Sequence, residues 1–360
     1  MNKRIYNLDG LRFWASIIVI TRHFQSVIAA YGRPGIMEND WKYVAQPSLT
    51  LFFVISGFII TYVIKKDEKI DLLKFYRNRG LRIWPLYYFL VLFVFFLQPH
   101  IELLTYYPRI SGGELQPNKF LGYLLFLPNT TDFFLGSSHY LGMTWSLGVE
   151  EFFYLFYPFL LLLIPNRYQI KGFLILTVFY IAITITADLV VLPKDLPYRY
   201  ELILHQYIPR YRLYAFFIGV IVCLVWQKGI MVKFLTGRSV IILTWALILA
   251  ILLAEIPLGA WKEIVFSTLF GLAIYSMVSS GIKLRLLDNK WINYFGKITY
   301  GTYLFHNMVI VFVINLLGAW VPVNQEGAIL LWLAIIILTF IIAVLSYEFF
   351  EKVFLRLKKE

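Results

Sequence analysis

Residues 8–31 read LDGLRFWASIIVITRHFQSVIAAY, an apolar stretch long enough to cross a membrane that nevertheless contains Arg12, Arg22 and His23. A spanning helix needs about 20 mostly apolar residues, and ionisable side chains within one are candidate functional groups. The whole chain has the same character, since 60% of its 360 residues are hydrophobic, 15% are charged and the mean hydropathy is +0.71. That leaves too little polar surface for a soluble fold. We therefore predict an all-α, polytopic integral membrane bundle.

Ten apolar runs reach spanning length, and one further run is too short to cross. The short one is KFLGYLLFLP, residues 119–128, where we predict a short or re-entrant helix. No internal repeat or flexible linker divides the chain, so we expect a single membrane domain over residues 1–360. The ten predicted spans are 11–31, 44–64, 82–98, 145–164, 171–192, 211–227, 239–256, 261–280, 300–318 and 328–350.

The formal net charge of +12 serves mainly to orient the chain. With the N-terminus inside, 22 of the 33 Lys and Arg residues fall in predicted cytoplasmic segments and nine fall outside. This distribution follows the positive-inside rule and places both termini in the cytoplasm, with no reason to expect a nucleic-acid partner. The longest outside loops, 99–143 and 193–210, suit either an ordered cap over a cavity or plain connections.

The first span carries a polar stripe. Asp9 and Arg12 are three residues apart and therefore neighbours on a helix. Arg12 and His23 are eleven apart, which puts them on the same face about 16 Å apart along the axis. One interpretation is an interfacial ion pair of Asp9 with Arg12, and a His23 that is simply hydrogen-bonded in the core. The presence of Gln25 in the same span favours the other interpretation, a polar cavity.

A group of arginines precedes the third span, in the stretch KFYRNRGLRIWPLYY at 74–88. Arg77, Arg79 and Arg82 would suit a phosphate group, because guanidinium groups bind phosphate through paired hydrogen bonds. They could equally be positive-inside anchors or contacts for anionic lipid.

Two later stretches carry further candidates. In MTWSLGVEEFFYLFYP, Ser146 and Glu150 share a helix face beside Trp145; Glu150 could orient an imidazole, or the pair could cap the helix start. In GKITYGTYLFHNMVI, Tyr303 and His306 are three apart, and His306 could bind substrate or pack in the core. The remaining histidines support no specific role and are His100, His139 and His205.

Other chemistries lack their usual motifs. The chain contains no phosphate-binding P-loop, no dinucleotide fingerprint, no serine-hydrolase elbow and no Cys/His spacing for a metal, so we expect no metal. Its one cysteine, Cys223, lies in an apolar run and cannot form an internal disulfide. We interpret it as a core residue.

Taken in order, these elements resemble the acyltransferase 3 family of membrane-bound acyltransferases. Ala215 departs from the pattern, because a Glu is common there. The matching elements are LDGLR (8–12) with His23 eleven residues after Arg12, FFVISGF (52–58) with Ser56, RGLRIWP (79–85), TWSLGVEEFFYLFYP (144–158), RLYAFFIG (212–219) led by Arg212, and TYLFH (302–306).

The resemblance implies an enzyme of the bacterial cytoplasmic (inner) membrane that takes an acyl group, usually acetyl, from cytoplasmic acyl-CoA. The group passes to a hydroxyl of an extracytoplasmic or lipid-linked glycan, most often a surface polysaccharide such as O-antigen or exopolysaccharide. It implies acetyl-CoA as donor substrate, no bound cofactor, contact with membrane lipid, and it is compatible with a homo-oligomer. The chain resembles stand-alone members that carry no fused SGNH-type domain.

The residues and the resemblance together suggest a mechanism in which His23 is the general base and Glu150 orients it. A covalent acyl-enzyme on His23 or Ser146 is the rival mechanism. Acyl-CoA would be held by Arg12, Arg77, Arg79 and Arg82. The supporting or acceptor-binding residues would be Asp9, Ser56, Trp145, Ser146, Arg212, Tyr303 and His306.

Two other classes of protein stay open on the physics alone. A transporter or lipid flippase also places ionisable groups inside a bundle, although no inverted repeat is visible. A polyprenyl-phosphate sugar transferase would use the arginines for lipid phosphate, but we would then expect clustered acidic residues for a metal.

Overall fold

A computed structural model describes residues 5–37, 42–66, 70–106, 117–136, 138–190, 198–230 and 232–359. Regular structure in these ranges is helical and contains no β-strand, which confirms the all-α prediction. The α-helices are α1 Leu8–Ala30, α2 Lys42–Ile64, α3 Leu72–Leu92, α4 Pro117–Leu124, α5 Pro128–Leu135, α6 Trp145–Leu163, α7 Gln169–Leu189, α8 Tyr198–Leu202, α9 Ile208–Arg210, α10 Leu213–Gln227, α11 Arg238–Leu253, α12 Lys262–Ser280, α13 Lys290–Lys297, α14 Thr299–Leu317, α15 Gln325–Leu345 and α16 Lys352–Arg356.

The polytopic prediction is confirmed by nine helical segments of the described residues that are long and apolar enough to cross a membrane. The one predicted span that is not among these nine segments, 239–256, is the shorter helix α11 of 16 residues. At about 1.5 Å per residue it covers about 24 Å of a hydrocarbon core of about 30 Å. The short helix expected at 119–128 is present as α4, and the chain turns at Phe126 (φ 60°) before it enters α5.

The third span begins earlier than predicted. Helix α3 starts at Leu72, where Asp71 caps it and accepts a hydrogen bond from the Lys74 backbone N–H at 2.9 Å. Hydropathy alone placed the start at residue 82, because the first turns of α3 carry Lys and Arg instead of apolar residues. The predicted arginine group therefore lies on a helix and not in a connecting segment.

The helices group into two compact units, each of which packs around its own interior. The single-domain interpretation of residues 1–360 stays a prediction. The first unit comprises Met1–Leu8, Gln46–Ile70 and Phe152–Asn289, and the second comprises Asp9–Ala45, Asp71–Glu151 and Lys290–Glu360.

Within the first unit, α2 and α10 approach each other backbone to backbone at two glycines. A Cβ atom on Gly57 would lie 2.1 Å from the carbonyl oxygen of Phe216, and one on Gly219 would lie 2.0 Å from that of Val54. Small residues are the usual means of close helix approach in membranes. The Ser-Gly-Phe element thus has a packing role at Gly57.

We expect Gly57→Ala and Gly219→Ala each to destabilise the protein by about 1–3 kcal/mol or more, because backbone atoms cannot move aside as a side chain can. Thermal unfolding followed by tryptophan fluorescence in detergent would measure the loss. Gly172→Ala on α7 is the matched control, since its new Cβ would meet only the end of the Ile164 side chain at 3.0 Å. Equal midpoints for all three variants would contradict the close approach.

In the second unit, α1 is fixed against α14 and α15 near its middle and its end. Trp332 on α15 donates its indole N–H to Thr21 Oγ1 at 3.0 Å. The Tyr31 hydroxyl, just beyond α1, donates to Asn315 Oδ1 on α14 at 3.0 Å. One bond precedes His23 in the sequence and the other follows it. The part of α1 that carries His23 is therefore held against α14 and α15.

Candidate active site

The polar stripe of α1 is present, but its two ends have different surroundings. Arg12 and His23 are both half-buried. Arg12 takes part in an interaction, and the predicted ion pair with Asp9 stays a prediction. At Asp9 the helix backbone touches α13, where a Cβ on Gly296 would lie 2.1 Å from the Asp9 carbonyl oxygen.

His23 meets His306, which the sequence placed in a different span. The two imidazole rings are 4.9 Å apart between centroids and meet edge to face at 61°. His306 is fully buried on α14. Its Nδ1 lies 2.5 Å from the Tyr303 carbonyl oxygen, and because a carbonyl only accepts, Nδ1 carries the proton and Nε2 keeps its lone pair. That Nε2 is buried with no hydrogen-bond partner among the described residues.

A third histidine, His139, joins this group although the sequence indicated no role for it. His139, His306 and Arg22 all lie within electrostatic range of His23. The His139 ring stacks on Tyr106 with centroids 3.6 Å apart and planes at 14°. Burial lowers the pKa of His139 to about 4, so the ring is neutral near pH 7. Sequence spacing could not reveal this, because His139 precedes α6 in a connecting segment.

Ser146 and Tyr303, which belong to two separate sequence motifs, form a hydroxyl pair beside the histidines. The Ser146 and Tyr303 hydroxyl oxygens are 2.6 Å apart, and Tyr303 donates to the Met143 carbonyl. Ser146 is therefore the donor within the pair. Since the Tyr303 carbonyl also receives His306 Nδ1–H, one residue connects the hydroxyls to the imidazole. Trp145, next to Ser146, is half-buried.

Glu150 has acidic and phenolic neighbours. It lies within electrostatic range of Glu151 and Tyr300. Glu151, which the sequence reasoning passed over, has an Oε1 that is buried without a partner in the described ranges. A role for Glu150 in orienting His23 stays a prediction.

The three arginines of α3 do not form one cluster. Arg79 and Arg82 are about 60° apart around the helix, whereas Arg77 is about 140° from Arg82 and about 160° from Arg79. Lys358, in the C-terminal segment, joins the first two. Its pKa is lowered to about 8 by burial and by the charges of Arg82 and Arg79. A cationic face of Arg79, Arg82 and Lys358 results, and sequence alone gave no signal for the lysine.

Two predicted site residues belong to the first unit. Ser56 is buried on α2 beside the tightly packed Gly57. Arg212 (φ 46°) precedes α10, and its Nη1 donates to Thr50 Oγ1 at 2.8 Å and pairs with Glu263 Oε2 at 3.1 Å. This network ties α2, α10 and α12 together. Supporting or acceptor-binding roles for Ser56 and Arg212 stay predictions.

The arrangement of side chains suits proton transfer. In the ranges given above, no three His, Cys, Asp or Glu side chains converge as metal ligands. What converges instead is a half-buried imidazole, a buried imidazole with a fixed tautomer, and a hydroxyl pair. Such groups are typical of sites for acid–base group transfer.

The comparison with known protein families also indicates a group-transfer enzyme. The acyltransferase domain model of the acyltransferase 3 family matches residues 5–348, and the chain belongs to that family, as the sequence motifs indicated. Similar proteins include the O-acetyltransferase OatA of Staphylococcus aureus, 26% identical over 365 residues that cover 96% of this chain and 56% of that protein. The peptidoglycan O-acetyltransferase OatA of Listeria monocytogenes is 24% identical over 373 residues, covering 97% and 55%.

The chain spans about half the length of these curated relatives. No solved structure is significantly similar to it.

Proposed function

We propose that this chain is a membrane-bound O-acetyltransferase that moves an acetyl group from cytoplasmic acetyl-CoA to a hydroxyl of an extracytoplasmic or lipid-linked glycan. Family membership and the relatives' names support acyl transfer to oxygen. Because the Listeria relative is named for peptidoglycan, we favour a peptidoglycan hydroxyl over O-antigen or exopolysaccharide. The observation that carries the proposal is the contact between half-buried His23 and buried His306.

His23 acts as the general base in this proposal. Its neutral imidazole takes the proton from the acceptor hydroxyl while the hydroxyl oxygen attacks the thioester carbonyl carbon. His306 has its Nδ1–H tied to the Tyr303 carbonyl, so its Nε2 lone pair can accept an N–H from His23. The ring centroids are 4.9 Å apart, a separation that allows such a bond once His23 rotates to aim a ring nitrogen at His306, and the bond would orient the base.

The intermediate then collapses and the C–S bond breaks. The electron pair leaves with the CoA sulfur, which takes up the proton that His23 had accepted, so the enzyme returns to its starting state. The developing oxyanion needs a hydrogen-bond donor before this step. The Ser146 hydroxyl, 2.6 Å from that of Tyr303, would supply it by turning its one proton from the Tyr303 oxygen to the oxyanion.

Acyl-CoA would be held by the cationic face of Arg79, Arg82 and Lys358. Guanidinium groups suit the CoA phosphates because they form paired, charge-assisted hydrogen bonds. The like charges of Arg79 and Arg82 lower the pKa of Lys358, and a bound phosphate would relieve that repulsion. Arg12, on the stripe that leads to His23, would contact the arm that carries the thioester.

We expect Arg79→Ala and Arg82→Ala each to raise the KM for acetyl-CoA about tenfold with little change in kcat, because the phosphates remain bound alike throughout the reaction. Arg77→Ala is the matched control on the opposite side of α3 and should leave the KM within about twofold. Steady-state kinetics over a range of acetyl-CoA concentrations would measure these constants. An equal rise for Arg77→Ala, or an effect confined to the acceptor, would contradict the assignment.

The proposed function itself is tested with purified protein, labelled acetyl-CoA and peptidoglycan fragments. We expect CoA release that depends on the acceptor, with label on a glycan oxygen. A transporter or flippase releases none. Single-turnover experiments without acceptor test the rival mechanism, a covalent acyl-enzyme. A burst of CoA with label on His23 or Ser146 would show that this mechanism operates in place of direct transfer.

A further inference from the structure

The first unit contains an open cavity of about 830 Å³ that is separate from the residues of the candidate active site. Its wall is built where α2, α6 and α10 end and α7 begins, with Lys65 following α2 and Lys228 following α10. The volume is within the range of about 300–1,000 Å³ of small-molecule sites.

Two ammonium groups converge on one side of this cavity. Lys65 Nζ donates to Asn166 Oδ1 at 2.9 Å, and Lys228 Nζ donates to the Asn166 carbonyl oxygen at 3.2 Å. Within the described residues, which exclude 67–69, neither ammonium has a carboxylate at ion-pair distance. Burial and the nearby charge of Lys228 lower the pKa of Lys65, as expected for two cations that lack an anion between them.

A buried acceptor without a partner lies at the same wall. Gln169 is 3% exposed, and its Nε2 donates to the carbonyl oxygens of Leu161 and Ile164 at 3.0 and 3.2 Å. Because these carbonyls can only accept, the amide orientation is fixed. Its Oε1 is then left with no donor in the described part of the chain, so a hydrogen-bond donor is missing beside the two cations.

The cavity wall also has apolar side chains that continue onto the lipid-facing surface. They are Leu161, Leu162 and Ile164. Leu162 is 54% exposed and the adjacent Leu163 is 76% exposed, as expected of side chains that contact acyl chains in a membrane helix. A ligand that satisfies both the polar and the apolar lining therefore has an anionic, hydrogen-bond-donating head and an apolar tail.

We propose that this cavity binds the headgroup of an anionic phospholipid that carries hydroxyl groups. The phosphate lies between Lys65 and Lys228, a headgroup hydroxyl donates to Gln169 Oε1, and the first carbons of the acyl chains follow Leu162. The basic end of a membrane protein faces the leaflet where anionic lipid attracts lysine and arginine. The proposal concerns lipid and does not depend on the proposed acetyl transfer.

The experiment uses the full chain in nanodiscs of phosphatidylcholine with a small fraction of fluorescent phosphatidylglycerol. We expect saturable binding that weakens at least tenfold in the double variant Lys65→Gln/Lys228→Gln, since each lysine near a lipid surface contributes comparably. Lys66→Gln is the matched control, because Lys66 is adjacent, exposed and not part of the wall. Equal loss in the control, or equal binding of phosphatidylcholine, overturns the proposal.

Two further arms separate the sources of the phosphate and test the hydroxyl. Neither inorganic phosphate nor CoA should displace the lipid; displacement by either at micromolar concentration would make this a site for soluble phosphate and overturn the lipid assignment. The wild-type chain should prefer phosphatidylglycerol to phosphatidylmethanol, which has the same charge and no headgroup hydroxyl. That preference should vanish in Gln169→Met, and its absence in the wild-type chain would overturn the role of Gln169.

Discussion

Replacing His23 by Ala is expected to lower kcat/KM for acetyl transfer by about 10³-fold, which is within the range of about 10²–10⁴ for removal of a general base. Neither of the other imidazoles of the described site is placed to replace it, because His306 is fully buried and the half-buried His139 ring stacks on Tyr106. Acceptor-dependent release of CoA from labelled acetyl-CoA would measure the loss.

The matched control for this variant is His100→Ala, since His100 is exposed and lies outside the histidine group. It should retain activity within about twofold, as surface substitutions usually do. Both variants should unfold at the same temperature as the unmodified protein. Near-normal transfer by a folded His23→Ala protein would end the assignment of His23 as the base.

The sequence was sufficient for the parts of the site that lie on one helix. The spacing of Arg12 and His23 fixes a shared face wherever α1 packs, and the apolar runs predict most of the spans because the bilayer excludes polar backbone and side chains. The prediction needed no knowledge of tertiary contacts. For the same reason it could not extend to residues on other helices.

The remaining contacts depend on packing between distant segments. The meeting of His23 with His306 requires α1 and α14 to be neighbours, and no spacing encodes that. His139 enters from a segment that hydropathy treats as a loop. Lys358 joins Arg79 and Arg82 only because the C-terminal segment packs near the first turns of α3.

Helix geometry also separates residues that lie close together in the sequence. Arg77 precedes Arg79 and Arg82 by a few residues, but in a helix that starts at Leu72 it lies about 140–160° around the axis from them. Glu150 shares a face with Ser146 on α6, but its neighbour Glu151 has the buried oxygen without a partner. About one turn of α6 thus separates Ser146, which pairs with Tyr303, from the two glutamates within electrostatic range of Tyr300.

His306 is expected to act as a positioning residue for His23, and its amide variants can distinguish that role from packing. In His306→Gln the side-chain amide reaches the place of Nε2, whereas in His306→Asn it reaches only the place of Nδ1. We expect kcat to fall about 10²-fold in the Asn variant, the size of loss that misplacement of a catalytic group by about 1 Å causes. The Gln variant should recover to within about tenfold of the unmodified protein.

The KM for acetyl-CoA should be unchanged in both variants, because the proposed donor-binding residues Arg79, Arg82 and Lys358 lie on other helices than His306. Tryptophan fluorescence would establish that both variants fold, since each buries an amide in a polar setting next to the Tyr303 carbonyl. If His306 served only to fill space, Gln and Asn would lose activity together and in proportion to lost stability. Recovery by Gln alone therefore requires an acceptor at Nε2, which is the feature that the buried, unpartnered nitrogen of His306 supplies.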